Sequence, residues 1–214
     1  MVKGQKVGVV NLAAWDGDGI SSGLVGLAFP SLTSAYPGTN VSADNQTMNA
    51  VNPSIIDTIF EIQNLTASMF TLALSRDESN NSYGGVIAIG GVPSLADPSI
   101  NASSSFVSTP IEILITQFID PGTSEYQFYT INIIDIVYGD TNTVALPSTE
   151  FIVDSGTTLL YVTTSQAIDY NSQYDRPTSG YDETGVFFVS CTATTPPPFA
   201  VTIAGEAFPS IPST

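Results

Sequence analysis

Apolar residues along this chain occur in short runs that are separated by clusters of Gly, Pro, Asn, Asp and Ser. The runs alternate with polar residues or are continuous over a few positions, which is typical of β-strands. In chain order, the predicted strands are KVGVVNLAAW, SMFTLALS, GGVIAIGGV, FYTINIIDIVYG, TEFIVDSG, TLLYVT, VFFVSCTA and FAVTIAG. Many short strands with few helices predict an all-β protein built from sandwich- or barrel-like lobes.

Two segments have the periodicity of helices. The first spans roughly residues 54–64, where Ser54 follows Pro53 as a candidate N-cap. Its broad apolar face comprises Ile55, Ile56, Ile59, Phe60 and Ile62. The second spans about residues 165–173, with Ser165 as its candidate cap. A change of composition in GGVPSLADPSINASSS (90–105) predicts a boundary between two lobes, residues 1–95 and residues 96–214.

The charge balance narrows the classes of function. The chain has 4 Lys and Arg against 20 Asp and Glu, no His, and a net charge of −16. Nucleic acid and anionic membranes are therefore poor partners, because both need a basic surface, and no apolar run is long enough to span a membrane. Strong acidity is compatible with solubility alone, or with work in acid, where the carboxylates are neutralised.

The absence of His and the single Cys191 exclude several catalytic and metal-binding arrangements. A Ser-His-Asp or Cys-His nucleophile, a His-based zinc site and a thiolate cluster cannot be assembled from these residue types. We predict no metal and no cofactor. Any catalysis by this chain must rely on carboxylates.

Five matches to the N-glycosylation acceptor pattern Asn-x-Ser/Thr favour a secretory route. They begin at Asn40, Asn45, Asn64, Asn80 and Asn101. The N-terminal MVKGQKVGVV nevertheless lacks the apolar core of a signal peptide, and a lone Cys in a secreted protein suggests a missing partner. We interpret the chain as a piece of something longer.

The segment FIVDSGTTLLYV (151–162) places a carboxylate at a glycine turn between two apolar runs. Gly156 has no Cβ, so backbone N–H groups can approach Asp154, and Thr157 can add a hydroxyl donor. An Asp that merely caps a turn is the simpler explanation of the loop by itself. The five residues Asp154-Ser155-Gly156-Thr157-Thr158 do not by themselves decide between these two interpretations.

The same segment resembles the second active-site loop of pepsin-like aspartic peptidases. Four further stretches resemble elements of that family and occur in the family's order, covering nearly the whole chain. They are DGISSGLVGLAFPSLTSAYPGT, SMFTLALSR with GGVIAIGGV, YQFYTINIIDIVYGD, and VFFVSCTATTPPPFAVTIAGEAF. The composition, rich in Ser and Thr, is most similar to that of secreted fungal members.

The resemblance implies a bilobal, almost all-β endopeptidase without cofactor, in which one aspartate from each lobe activates a water molecule. It makes Asp154 the catalytic carboxylate of the second lobe. Gly156 and Thr157 would orient Asp154, and Ser155 would make a hydrogen bond to the other lobe. Thr158 would contact the backbone of an extended polypeptide substrate. Phe128 and Tyr129 would line the cleft, although they are equally well explained as core aromatics.

The chain also departs from the family pattern. It has no second Asp-Ser/Thr-Gly and no flap hairpin, while Leu24, Val25 and Gly26 match the support element of a first catalytic loop that is not here. The support strand for Asp154 and the disulfide partner of Cys191 are expected beyond Thr214. We therefore expect a partial fold: the late part of the first lobe, and a second lobe without its last strands.

Several functions remain open. We favour a fragment of a secreted or vacuolar aspartic endopeptidase whose parent is monomeric, with this chain inactive alone. A non-catalytic pseudopeptidase that binds peptides is the main alternative. A dimer that pairs two copies of Asp154, or a β-rich cell-wall or carbohydrate-binding module, explains the ordered motifs less well.

Overall fold

A computed structural model of the protein describes residues 2–9, 23–33, 35–44, 49–65, 67–74, 85–93, 106–114, 125–139, 142–157, 159–174, 183–193 and 197–209; for residues 41 and 142–148 it describes the backbone alone. Backbone contacts divide the chain into two compact units. One consists of Met1–Phe106 with Ser124–Phe128, and the other of Val107–Thr123 with Tyr129–Thr214. Most of the regular structure in the described residues is β, with two short α-helices among them, which confirms the predicted all-β class.

The first unit contains a helix and a hairpin. Two short 3-10 helices, Pro30–Leu32 and Val41–Ala43, precede the α-helix α1, Ile55–Gln63. Strands β1, Phe70–Leu74, and β2, Gly85–Ile89, then pair antiparallel, with Leu72 opposite Ile87. Both strands were predicted from their apolar runs.

Helix α1 begins and ends where its sequence predicts. The Ser54 hydroxyl accepts a hydrogen bond from the Asp57 N–H at 3.2 Å, and the Asp57 carboxylate accepts one from the Ser54 N–H at 3.1 Å. This reciprocal capping box satisfies backbone donors that the first turn leaves unpaired. Asn64 ends the helix in the left-handed conformation, with φ of 45°. Ile56 is buried on the apolar face, whereas Ile62 is exposed.

The second unit is organised around a four-stranded antiparallel sheet with strand order β4-β3-β5-β6. Its strands are β3, Thr130–Tyr138; β4, Asn142–Ile152; β5, Phe199–Ile203; and β6, Glu206–Pro209. Strand β3 lies in the interior of the sheet, paired with β4 on one side and β5 on the other. Strand β4 lies at an edge and leads into the Asp154 loop.

The pairing of β3 with β4 is irregular at its centre. Ile133 lies opposite Thr149, but Asp135 lies opposite Ala145, so three residues of β4 face one residue of β3. Pro147 is one of the three, and it has no N–H to donate to a ladder. An irregularity of this kind bends the strand without breaking the sheet.

The core of the second unit forms between this sheet and helix α2, Thr164–Asn171. Ile133, Ile136 and Tyr138 are buried on β3. Tyr170 of α2 makes edge-to-face contacts with Tyr138 and with Phe199, at centroid distances of 6.1 and 5.7 Å. The Tyr138 hydroxyl donates to the Asp169 carboxylate at 2.8 Å, so the contact between helix and sheet is polar as well as aromatic.

The cap of α2 differs from the prediction. Thr163 occupies the N-cap, and its side chain and that of Gln166 form a capping box. Ser165 lies within the first turn instead. The predicted cap was two residues late because Gln166, three residues after Thr163, completes the reciprocal pair that Ser165 cannot make.

Three predicted strands are absent or incomplete in the described residues. Residues 6–9 are irregular, residues 159–163 of TLLYVT form no ladder, and VFFVSCTA contains only a bridge at Phe187. Strand-forming composition is not enough by itself, because a strand needs a neighbour that satisfies its backbone N–H and C=O groups. Strand β4 begins earlier than predicted, at Asn142.

Strand β3 offers a matched test of this core. Ile136 is 1% exposed and Ile134 is 45% exposed, so the same substitution can be made at both positions. We expect Ile136→Ala to lower the free energy of unfolding by about 2–5 kcal/mol, through lost burial and the cavity left behind. Ile134→Ala should cost about 0.5–1 kcal/mol. Urea denaturation followed by tyrosine fluorescence measures both, and equal losses would contradict the core described here.

Candidate active site

The end of strand β4 determines the position of Asp154. Ile152 is paired with Thr130, and the Val153 N–H donates to the Tyr129 carbonyl at 2.8 Å. These contacts extend the β3–β4 ladder to the residue immediately before Asp154. The carboxylate therefore projects from a loop whose first residue is held by the sheet.

Two donors from the loop itself converge on the Asp154 carboxylate. The Gly156 N–H donates to Oδ1 at 2.8 Å, and the Thr157 hydroxyl donates to Oδ2. A Cβ at position 156 would lie 3.3 Å from Oδ1, which is a tight contact. The small size of Gly156 thus allows the backbone to approach the carboxylate closely.

These hydrogen bonds favour the ionised form of Asp154. The Thr157 hydroxyl, followed by the Gly156 N–H, lowers the pKa of the carboxyl, and partial desolvation opposes this only weakly. A carboxylate whose folded pKa is depressed contributes stability above the unfolded pKa and loses it as pH falls through the folded pKa. Asp154 is exposed, so these hydrogen bonds favour its ionised form without a large contribution to stability.

An open groove of about 1020 Å³ is lined by Asp154. Residues 149–152 of β4 and residues 159–163 also line it. Apolar side chains dominate the lining, while Glu150, Thr157 and Gln166 contribute polar atoms. A second cavity, of about 490 Å³, lies between α2 and the sheet and does not include Asp154.

The remaining predicted site residues are distributed over both units. Ser155 is exposed beside Asp154, Tyr129 is half-buried and accepts the Val153 hydrogen bond, and Thr158 lies outside the described residues. Phe128 is half-buried in the first unit. In that unit Leu24 and Val25 are 82% and 69% exposed, and Gly26 is exposed as well. Their proposed roles stay predictions.

Some groove residues were not predicted from the sequence. Leu114, Leu159 and Leu160 line the groove with Asp154. Their composition is that of ordinary strand or core residues, and only the folded arrangement brings Leu114 to this place. No sequence signal distinguishes Leu114 from other apolar positions.

The predicted modification sites also divide between described and undescribed residues. Asn40 and Asn64 are exposed, whereas Asn45, Asn80 and Asn101 lie outside the described part of the chain. Cys191 is an exposed free thiol. Within the described part, no group of three or more His, Cys, Asp or Glu side chains is arranged to hold a metal ion, and no described helix is long and apolar enough to cross a membrane.

Comparison with known proteins identifies the family. The family model of eukaryotic aspartyl proteases matches residues 1–214. The chain belongs to the eukaryotic aspartyl protease family. The predicted pepsin-like relationship is therefore confirmed, and the β-rich architecture is that of a partial pepsin-like fold.

A curated relative is consistent with this membership. The chain is 36% identical over 191 residues to a protein of Aspergillus fumigatus named "Probable aspartic-type endopeptidase". The match covers 89% of this chain and 40% of the relative. This aspartyl protease chain thus spans less than half the length of the curated relative that it matches.

The Thr157 hydroxyl provides a direct test of the loop's electrostatics. We expect Thr157→Val to raise the pKa of Asp154, because the hydroxyl that donates to the ionised carboxylate is lost. Thr157→Ser keeps a hydroxyl and should restore most of the depression. Carbon-detected NMR titration of the Asp154 carboxyl in the three proteins measures the effect. An unchanged pKa in the Val variant would show that the hydroxyl does not stabilise the charge.

Proposed function

We propose that Asp154 is one of the two catalytic aspartates of an aspartic-type endopeptidase that cleaves extended polypeptides. The observation that carries the proposal is the convergence of the Gly156 N–H and the Thr157 hydroxyl on an exposed carboxylate. The membership in the aspartyl protease family and the relative's name support it.

The chemistry needs a pair of carboxylates that share one proton. The ionised carboxylate accepts a proton from a water molecule, which attacks the peptide carbonyl carbon, while the protonated carboxyl donates a hydrogen bond to the carbonyl oxygen. Hydrogen bonds that keep Asp154 charged suit it to the role of base. The pair titrates as a unit, so activity is expected in acid.

The second carboxylate is proposed to come from residues other than these 214. The chain contains a single Asp-Ser-Gly, at 154–156, and no Asp-Thr-Gly. Because the chain spans 40% of the relative's length, we propose that the parent protein includes the other catalytic loop. That parent would be a secreted or vacuolar glycoprotein of a fungus, acting as a monomer.

The groove beside Asp154 supports the proposed substrate class. Its lining is mainly apolar and includes residues 149–152 and 159–163. An extended peptide can place alternate side chains against an apolar lining of this kind. Extended polypeptides with apolar side chains near the scissile bond are therefore the proposed substrates.

Substitution of the proposed catalytic carboxylate tests the function. In the parent protein, Asp154→Asn should lower kcat for a peptide substrate at acidic pH by about 10²–10⁴-fold or more, because the amide cannot accept the proton from water. Glu206→Gln, the same chemical change at an exposed position of β6 in the same unit, should leave the rate unchanged. Retention of activity in the Asn variant would refute the proposal.

The dependence on a second carboxylate can be tested separately. We expect the purified 214-residue chain to show no pepstatin-sensitive peptide cleavage between pH 3 and pH 6, a window that brackets the carboxyl pKa range of about 3.9–4.3. Expression of the longer reading frame should restore cleavage. Pepstatin-sensitive turnover by the 214-residue chain itself would show that it assembles a complete dyad.

A further inference from the structure

The acceptor motif at Asn40 is the sequence feature that the proposed peptidase chemistry does not use. Asn40 lies in a loop of the first unit that is closed at its base by two hydrogen bonds. The Ala50 N–H donates to the Ala35 carbonyl at 2.8 Å, and the Asn49 amide donates to the Thr33 carbonyl at 2.9 Å. Because the ends of the loop are held together, a group attached between them need not disturb the packed part of the unit.

The side-chain oxygen of Asn40 is hydrogen-bonded within the acceptor motif itself. Its Oδ1 accepts a hydrogen bond from the Ser42 N–H at 3.2 Å, and its carbonyl accepts one from the Ala43 N–H at 2.9 Å. Asn40 and Ser42 are both exposed. The side-chain oxygen is thus engaged with the backbone of the motif, which leaves Nδ2 directed away from that contact.

Another Asn-x-Ser of the same unit, at Asn52, provides the contrast. In Asn52-Pro53-Ser54 the central proline breaks the acceptor pattern, and both reactive groups are already engaged. The Asn52 amide donates to the Ala50 carbonyl at 2.8 Å, and the Ser54 hydroxyl donates to the Asp57 carboxylate at 2.7 Å. Asn52 is also half-buried. A substituent on Asn52 Nδ2 would displace its hydrogen bond to Ala50, whereas no described hydrogen bond from Nδ2 has to be displaced at Asn40.

We infer that Asn40 is an N-glycan acceptor. The donor is an oligosaccharide linked to a lipid diphosphate, presented by the transferase of the secretory membrane. Nδ2 attacks the anomeric carbon of the first sugar and loses a proton, the bond from that carbon to the phosphate oxygen breaks, and the lipid diphosphate leaves with the electron pair. The inference depends on the proposed secretory location in one respect: the native protein encounters this donor only if it enters the secretory pathway.

Translation of the full chain behind a secretory signal peptide, in the presence of microsomes, tests the site itself. Import is verified by protection from added protease. Enzymatic removal of N-glycans converts an occupied Asn to Asp, so mass spectrometry of the peptide containing residue 40 reports its occupancy. We expect the imported chain to carry a glycan at Asn40 and none at Asn52.

Matched variants make the result decisive. Asn40→Gln and Ser42→Ala should each remove one glycan from the imported chain, Ser42→Thr should retain it, and Asn52→Gln should leave the glycan number unchanged. An imported, protease-protected chain that is unmodified at Asn40 would overturn the inference. Because this readout needs no peptidase activity, its failure is distinct from a failure of the proposed catalytic function.

Discussion

The antiparallel pairing of β3 with β4 is the constraint on which the candidate site depends. It runs from Tyr138 opposite Asn142 to Thr130 opposite Ile152, and the Val153 N–H adds a further contact to Tyr129. Strand β3 is held in turn by β5 and by the buried side chains of Ile136 and Tyr138. The backbone just before Asp154 is therefore positioned by the best-packed part of the second unit.

After Val153, the loop is held by hydrogen bonds and not by side-chain packing. Asp154 is exposed, and its carboxylate is oriented by the Gly156 N–H and the Thr157 hydroxyl. This division suits a reacting group, because the sheet supplies a rigid base while the loop supplies the electrostatics. It also explains why the adjacent groove is open: β4 is an edge strand, and the facing residues 159–163 form no ladder with it in the described part of the chain.

Features that depend on residues close together in the sequence were predicted better than features that depend on distant residues. The cap of α1 was predictable because Ser54 and Asp57 are three residues apart, and the Asp154 loop was predictable because its donors lie within three residues. The strands of TLLYVT and VFFVSCTA were wrong or incomplete, since a ladder depends on a partner from elsewhere. The irregularity at Pro147 and the contribution of Leu114 to the groove depend on the same non-local pairing, which composition does not encode.

The acidic composition of the chain can be compared with the electrostatics of the Asp154 loop. A net charge of −16 and the absence of His make carboxylates the main acidic titratable groups of the chain. The Thr157 hydroxyl and the Gly156 N–H lower the pKa of one of them, Asp154. Neither feature alone indicates peptide hydrolysis, but the family membership connects them.

Covalent labelling of the parent protein shows whether Asp154 is a reactive active-site carboxylate. A small epoxide inhibitor at mildly acidic pH should be opened by an ionised active-site carboxylate to form an ester, and peptide mass spectrometry locates the adduct. The account predicts an ester on Asp154, loss of peptidase activity in step with labelling, and protection by pepstatin. Pepstatin-protected inactivation with the label only on carboxylates outside the proposed catalytic pair would contradict it.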